Sequence, residues 1–160
     1  MLQSVKSDNK HVTLRSLLEE YRDQATSNAK KGKIFEDFVS KYLMHDPIHY
    51  GRYEKVESYF KWAKERKDWN KNDIGIDLVA KLRNQEGYVA IQCKCYDASH
   101  IIKKEDIDSF ITASGKKIFT RRILVDSTES NWSDNANNTC DGQEVRIQQI
   151  NLFDFRKCVI

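Results

Sequence analysis

The chain is short of nearly everything that marks a special environment. Of its 160 residues only one is proline, Pro47. No apolar run is long enough to span a bilayer, so no membrane partner is expected. Met1 to Lys10 is polar and lacks the apolar core of a signal peptide, which points to a cytoplasmic protein. The four cysteines, Cys93, Cys95, Cys140 and Cys158, form no CxxC pair, which favours free thiols over a zinc site or a disulfide. Internal repeats and low-complexity linkers are missing too. So is a nucleotide-binding loop, because Ser114-Gly115-Lys116-Lys117 lacks the spacing of a Walker A element. The net charge is only +3, weak evidence for a polyanionic partner. Positive charge is instead clustered: Lys30-Lys31-Gly32-Lys33, Lys103-Lys104, and Lys116-Lys117 through Arg121-Arg122. Any one cluster alone reads as ordinary solvated lysine.

What is present is enough for one domain with a proper core. Leu14, Leu17, Leu18 and Tyr21 recur at helical spacing and predict a first amphipathic helix over about residues 13–24. Ser27 is placed to cap a second helix, in which Ile34, Phe35, Phe38, Val39, Tyr42 and Leu43 form one apolar stripe. Gly32 falls on that face, where a missing side chain would admit a strand at close range. Glu36 lies at the stripe's edge and is expected half-buried; Asp37 points away. Residues 52–65 fit a strand or a helix, with a strand entering near Val56 preferred. Residues 74–82 read as a strand with Ile76, Leu78, Ala80 and Leu82 on one face. Residues 87–96 read as its antiparallel partner, with Val89, Ile91, Cys93 and Cys95 on one face and a turn between them. Glu105, Asp106 and Asp108 open a helix that buries Ile107, Phe110 and Ile111. Ile123-Leu124-Val125 is a short apolar strand. Residues 133–142 are loop or short helix, and residues 145–155 hold a last strand with an irregularity. The sum is a mixed α/β sheet with helices packed on it.

Chemistry concentrates on the hairpin. Period-2 geometry sets Gln92 and Lys94 on the same face, opposite Ile91, Cys93 and Cys95. Pairing around the turn brings Asp77 close to both. A carboxylate, an amide oxygen and an ammonium then converge at a sheet surface, a group suited to phosphodiester hydrolysis. Mg²⁺ takes oxygen ligands and keeps several waters. Asp77, the Gln92 side-chain oxygen and the backbone carbonyl of Cys93 are the candidate ligands, with Mn²⁺ as a substitute. Lys94 is the candidate to hold the attacking water and offset charge on the phosphorane oxygens. Glu36 is a fourth candidate, binding through water or orienting Lys94. Taken singly, each residue reads as an ordinary strand or rim residue; three polar groups on strands this apolar are harder to dismiss. No catalytic histidine is assigned, and Trp62, Trp69 and Trp132 read as packing residues.

The segments Asp73-Ile74-Gly75-Ile76-Asp77-Leu78-Val79 and Val89-Ala90-Ile91-Gln92-Cys93-Lys94 resemble the PD-(D/E)xK nuclease superfamily. The likeness is to its Mrr-like branch, in which glutamine replaces the first acid of the ExK element. Gly32-Lys33-Ile34-Phe35-Glu36 looks like that family's helical Gly-x-x-Phe-Glu motif. Over about residues 25–155, including Asp106-Ile107-Asp108-Ser109-Phe110, the chain is similar to the N-terminal nuclease of single-polypeptide (Type ISP) restriction–modification enzymes. The resemblance implies a restriction-endonuclease-like mixed sheet flanked by helices. Residues 1–26 would be a helical extension and residues 27–160 an Mrr-like nuclease domain excised from a larger chain. It implies Mg²⁺-dependent, sequence-non-specific nicking of duplex DNA. A helicase/translocase, a methyltransferase and a target-recognition domain would lie elsewhere in the full enzyme, with ATP needed only by the translocase and with transient nuclease–nuclease pairing. Lys33, Ser114, Lys116 and Lys117 are candidate DNA-backbone contacts. The competing readings are a catalytically weak DNA-binding or docking module and a structure-specific nuclease such as a junction resolvase.

Overall fold

The computed structural model describes residues 16, 19, 20, 23, 27–46, 49, 51–67, 69, 75–97, 99–151 and 154. The elements run α1 (Asn28–His45), β1 (Tyr53–Ser58), α2 (Tyr59–Lys64), β2 (Leu78–Leu82), β3 (Tyr88–Lys94), α3 (Lys104–Ala113), β4 (Phe119–Asp126), α4 (Asp134–Asp141) and β5 (Ile147–Ile150). The expected helix over residues 13–24 lies largely outside the described residues; Ser16, Glu19, Glu20 and Asp23 are helical and exposed.

The five strands form one sheet in the order β1-β2-β3-β4-β5. β1, β2 and β3 pair antiparallel, whereas β4 runs parallel to β3 and β5 parallel to β4. Parallel neighbours need a crossover, and α3 and α4 supply the two required. α1 covers one face. Its Phe35, Phe38, Val39, Tyr42 and Leu43 pack on Leu78, Ala80, Leu82, Val89, Ile91, Ile123, Val125 and Ile150. Burial of each large aliphatic or aromatic side chain among these contributes on the order of 2 kcal/mol. The other face holds Val79, Ala90, Leu124 and Ile147 under Tyr59 and Trp62 of α2, Ile107 and Phe110 of α3, and Ala136 and Cys140 of α4.

Local signals explain the helix starts. Ser27 caps α1 by accepting the Lys30 N–H at 3.2 Å, as expected. Ser58 and Ser133 do the same for α2 and α4, through the Lys61 and Ala136 N–H groups. The ambiguous stretch 52–65 resolves into both alternatives in succession: strand β1, then helix α2. Residues 133–142 take the helical option.

Two local expectations are corrected. A Cβ on Gly32 would meet nothing within 4 Å, so no strand crowds that position. Ile76 does not share the face of Leu78; it packs with the α3 cluster, while Leu78 packs with α1. The cause is Gly75. Its φ is +138°, and a Cβ there would lie 2.7 Å from the backbone carbon and oxygen of Ser109 in α3. The chain bends against α3 at a point where only glycine fits, and strand alternation begins only at Leu78.

Candidate active site

The bend at Gly75 decides where Asp77 goes. Its backbone is held on both sides: its N–H donates to Ile91 O at 3.0 Å, and its carbonyl accepts the Tyr59 N–H of α2 at 2.9 Å. The β2–β3 ladder closes with Leu78 opposite Ile91, and Asp77 stands one residue beyond that last pair, still bonded to Ile91. Its carboxylate lies at the level of the sheet, where Oδ2 accepts the Cys93 N–H at 2.7 Å. A side chain thus occupies the rung that a β2 carbonyl would have filled. In an extended strand a residue's N–H and C=O leave on the same side, so the Cys93 carbonyl faces the Asp77 edge as well.

Gln92 is only 6% exposed, and its Oε1 is buried with no hydrogen-bond partner among the described residues. A buried acceptor left unmatched costs about 1–3 kcal/mol, so its presence needs a reason. Lys94, two residues on, is half-buried. Both continue the face of Ala90, on the α3 side. Cys93 and Cys95 pack instead with the α1 cluster.

Glu36 approaches from that opposite side. It is half-buried and Asp37 is exposed, as the helical stripe required. Lys33 Nζ lies 3.8 Å from both carboxylates. The Cys93 thiol is pushed well above its ordinary value, by burial first, then by the nearby Asp77 and Glu36 carboxylates, then by Cys95. Burial first, and the two carboxylates after it, disfavour the thiolate that a metal would need. Among the described residues no group of three or more His, Cys, Asp or Glu side chains is placed to hold a metal ion. Any cation here would rely on one firm carboxylate plus neutral oxygens. Asp73, the other acid of the Asp-x-Gly-Ile-Asp pattern, lies outside the described residues.

Of the four candidate DNA contacts, three stay at the surface. Lys33, Lys116 and Lys117 are exposed, and Lys116 Nζ sits 4.5 Å above the Trp69 ring. Ser114 is 1% exposed; its hydroxyl donates to Phe110 O and accepts from Arg122 Nε at 2.7 Å. That geometry gives it an internal task. Arg122, itself buried, also donates to Ile111 O at 2.8 Å and to Val145 O at 3.2 Å. It ties the C-terminal end of α3 to β4 and to the approach to β5. Reading Lys116-Lys117 through Arg121-Arg122 as one basic cluster missed this, since a run of charges does not show which one is buried.

The sequence reading also missed a cluster beyond Lys94. Tyr96 Oη donates to Asp106 Oδ1 at 3.2 Å, His100 Nε2 lies 3.2 Å from Asp106 Oδ2, and the Tyr96 and His100 rings stack at 4.0 Å. Asp106 Oδ2 also accepts the Lys103 N–H at 2.9 Å, closing the first turn of α3. Burial alone would raise the Asp106 carboxyl, but the bonds from Lys103, His100 and Tyr96 outweigh it and hold the group below its ordinary value. The sequence placed Asp106 at a helix start as an acid suited to the dipole; it showed neither the bond to the Lys103 N–H nor the link to Tyr96.

A bent β2 entry with an acid, a neighbouring Gln-x-Lys strand and a parallel crossover behind it define a restriction-endonuclease-like fold. Comparison with solved structures agrees. A chain described as "ATP-dependent Type ISP restriction-modification enzyme LlaBIII bound to DNA" superposes with a TM-score of 0.67 at 30% identity, over 92% of this chain and 8% of that one. The chain thus spans less than a tenth of that enzyme's length. The "DNA modification-dependent restriction endonuclease AspBHI" shares the fold, with a TM-score of 0.57 at 13% identity over 89% of this chain and 33% of that one. Residues 44–160 match the family model of the Mrr-type catalytic domain described as a restriction endonuclease. The chain belongs to that restriction endonuclease family. No curated protein sequence matches it. No helix among the described residues is long and apolar enough to cross a membrane.

Proposed function

We propose that this chain is a Mg²⁺-dependent endonuclease that nicks duplex DNA without sequence preference, as the cleavage module of an ATP-dependent restriction–modification enzyme. Family membership supports the nuclease class, and the likeness to the Type ISP enzyme supports the larger setting. The observation that carries the metal-dependent reading is the buried Gln92 Oε1, which has no hydrogen-bond partner among the described residues and lies on the residue before Cys93, whose N–H the Asp77 carboxylate accepts. A neutral oxygen held dry beside a carboxylate and a backbone carbonyl is a fitting donor set for a hard divalent ion.

Asp77, Gln92 Oε1 and the Cys93 carbonyl would hold Mg²⁺, or Mn²⁺ in its place. The ion, when bound, would polarise the scissile phosphate and acidify a coordinated water. Lys94 places its ammonium beside the phosphate, holds the attacking water and offsets charge that grows on the phosphorane oxygens. The Cys93 N–H fixes the carboxylate of Asp77, so the acid does not reorganise during turnover. Glu36 adds negative charge from the α1 side and acts through water. Lys33, Lys116 and Lys117 contribute non-specific attraction to the DNA backbone. ATP, a translocase, a methyltransferase and a target-recognition domain belong to the remainder of the full-length enzyme, as does pairing of two nuclease domains for a double-strand break.

The single firm carboxylate also favours a second reading, a docking module that binds DNA and cuts weakly or not at all. Supercoiled plasmid incubated with the protein, with and without Mg²⁺ and a chelator, separates the two. The endonuclease reading expects metal-dependent conversion to open circles. Binding with no cutting, even with two copies forced together, supports the docking module instead.

A further inference from the structure

The two residues that flank Cys95 are both fastened to one buried serine. Ser127 is fully buried at the end of β4. Its N–H donates to Lys94 O at 3.0 Å. Its hydroxyl accepts the Tyr96 N–H at 2.7 Å and donates to Tyr96 O at 2.7 Å. The reason lies in the turn that follows β4. The buried carboxylate of Asp126 accepts the Thr128 N–H at 2.9 Å and the Trp132 Nε1–H at 2.9 Å, which folds the chain away from the sheet. Backbone rungs for β3 then run out at Lys94, which is in register with Asp126. The Ser127 side chain replaces the missing rung, extending the parallel ladder by one residue pair.

We propose that Ser127 is a positioning residue for catalysis: its hydroxyl locks the end of β3 and thereby sets where the Lys94 ammonium stands. Lys94 sits on the last rung of the strand, where an unpaired end would fray. The hydroxyl also fixes Tyr96, whose phenol reaches Asp106 at the first turn of α3. One serine thus couples the Lys94 strand end to β4 and to the α3 cap. The inference rests on Lys94 acting at the scissile phosphate.

The test compares Ser127→Ala with Ser133→Ala, which removes a helix-capping hydroxyl elsewhere. Ser127→Ala is expected to lower kcat for plasmid nicking by about 10- to 100-fold with KM for DNA unchanged, because small misplacements of a catalytic group carry such costs. The Tyr96 amide should exchange with solvent at least about tenfold faster, since it loses its acceptor. Ser133→Ala should change neither. Ser127→Cys, near-isosteric and a poor hydrogen-bond partner, should shift both readouts in the same direction and serves if the alanine variant does not fold. Wild-type kcat, or unchanged Tyr96 protection, in a folded Ser127 variant overturns the proposal. Lys94→Ala run alongside keeps the two claims apart: if it cuts normally the Lys94 reading fails, whereas an inactive Lys94→Ala with a fully active Ser127→Ala sinks only the role of Ser127.

Discussion

The carboxylate of Asp77 accepts the backbone N–H of Cys93 at 2.7 Å, so an acid rather than a carbonyl bonds β3 at the end of the β2–β3 ladder. This one contact orients the carboxylate, while β3 keeps its parallel pairing with β4 at Cys93 and Val125.

Gln92→Leu separates stability from function. Replacing the unmatched Oε1 with an apolar group of similar size removes a buried polar penalty, so the metal-free protein is expected to gain about 1–2 kcal/mol in urea unfolding. The same change should abolish calorimetrically detected Mg²⁺ or Mn²⁺ binding. A variant that is less stable and binds metal normally would show that Oε1 serves neither purpose. Gln92→Glu should bind the ion more tightly, as a second carboxylate adds charge to the site.

Gly75→Ala tests the bend. The added Cβ would press on the Ser109 carbonyl at 2.7 Å, and the φ of +138° disfavours any L side chain. A loss of about 2–4 kcal/mol is expected in chemical denaturation, with nicking reduced even where the protein folds, because Asp77 hangs from this turn. A neutral substitution would refute the close approach to α3.

Asp106→Asn tests the α3 cap by pH. A carboxyl held below its ordinary value contributes stability that is present above about pH 4 and is lost as pH falls through its lowered pKa. Wild type should exceed Asp106→Asn by about 1 kcal/mol near neutral pH, and the gap should close on acidification toward about pH 2. Asp126 acts in the opposite sense, since burial raises its carboxyl despite the Thr128 and Trp132 bonds, but it is common to both proteins and drops out of the difference. A gap that does not depend on pH would remove charge from the account of this cap.

The parts of the fold that were legible in the sequence are those governed by local rules. The α1 stripe, the Ser27 cap, the β2–β3 hairpin and the α3 acids are each set by periodicity or by backbone chemistry within a few residues. The errors arose where tertiary contact decides. Ile76 breaks alternation because Gly75 must clear α3. Gly32 sits in open space although its helical phase suggested contact. Ser114 and Arg122 form a buried pair that their lysine-rich surroundings disguised. In the site, the hairpin positions of Asp77, Gln92 and Lys94 could be read from strand pairing alone. The Cys93 N–H, the approach of Glu36 from the other face and the clamp at Ser127 could not, because each depends on elements far apart in the chain.

The central claim is that Asp77 is the anchoring acid of a metal-dependent DNA-cutting site, and Asp77→Asn in the plasmid-nicking assay tests it most directly. The amide keeps an oxygen to accept the Cys93 N–H, so the fold should persist by circular dichroism and DNA binding should be retained. With Mg²⁺ present, nicking is expected to fall about a hundredfold or more. Nicking by folded Asp77→Asn at the wild-type rate would contradict the account.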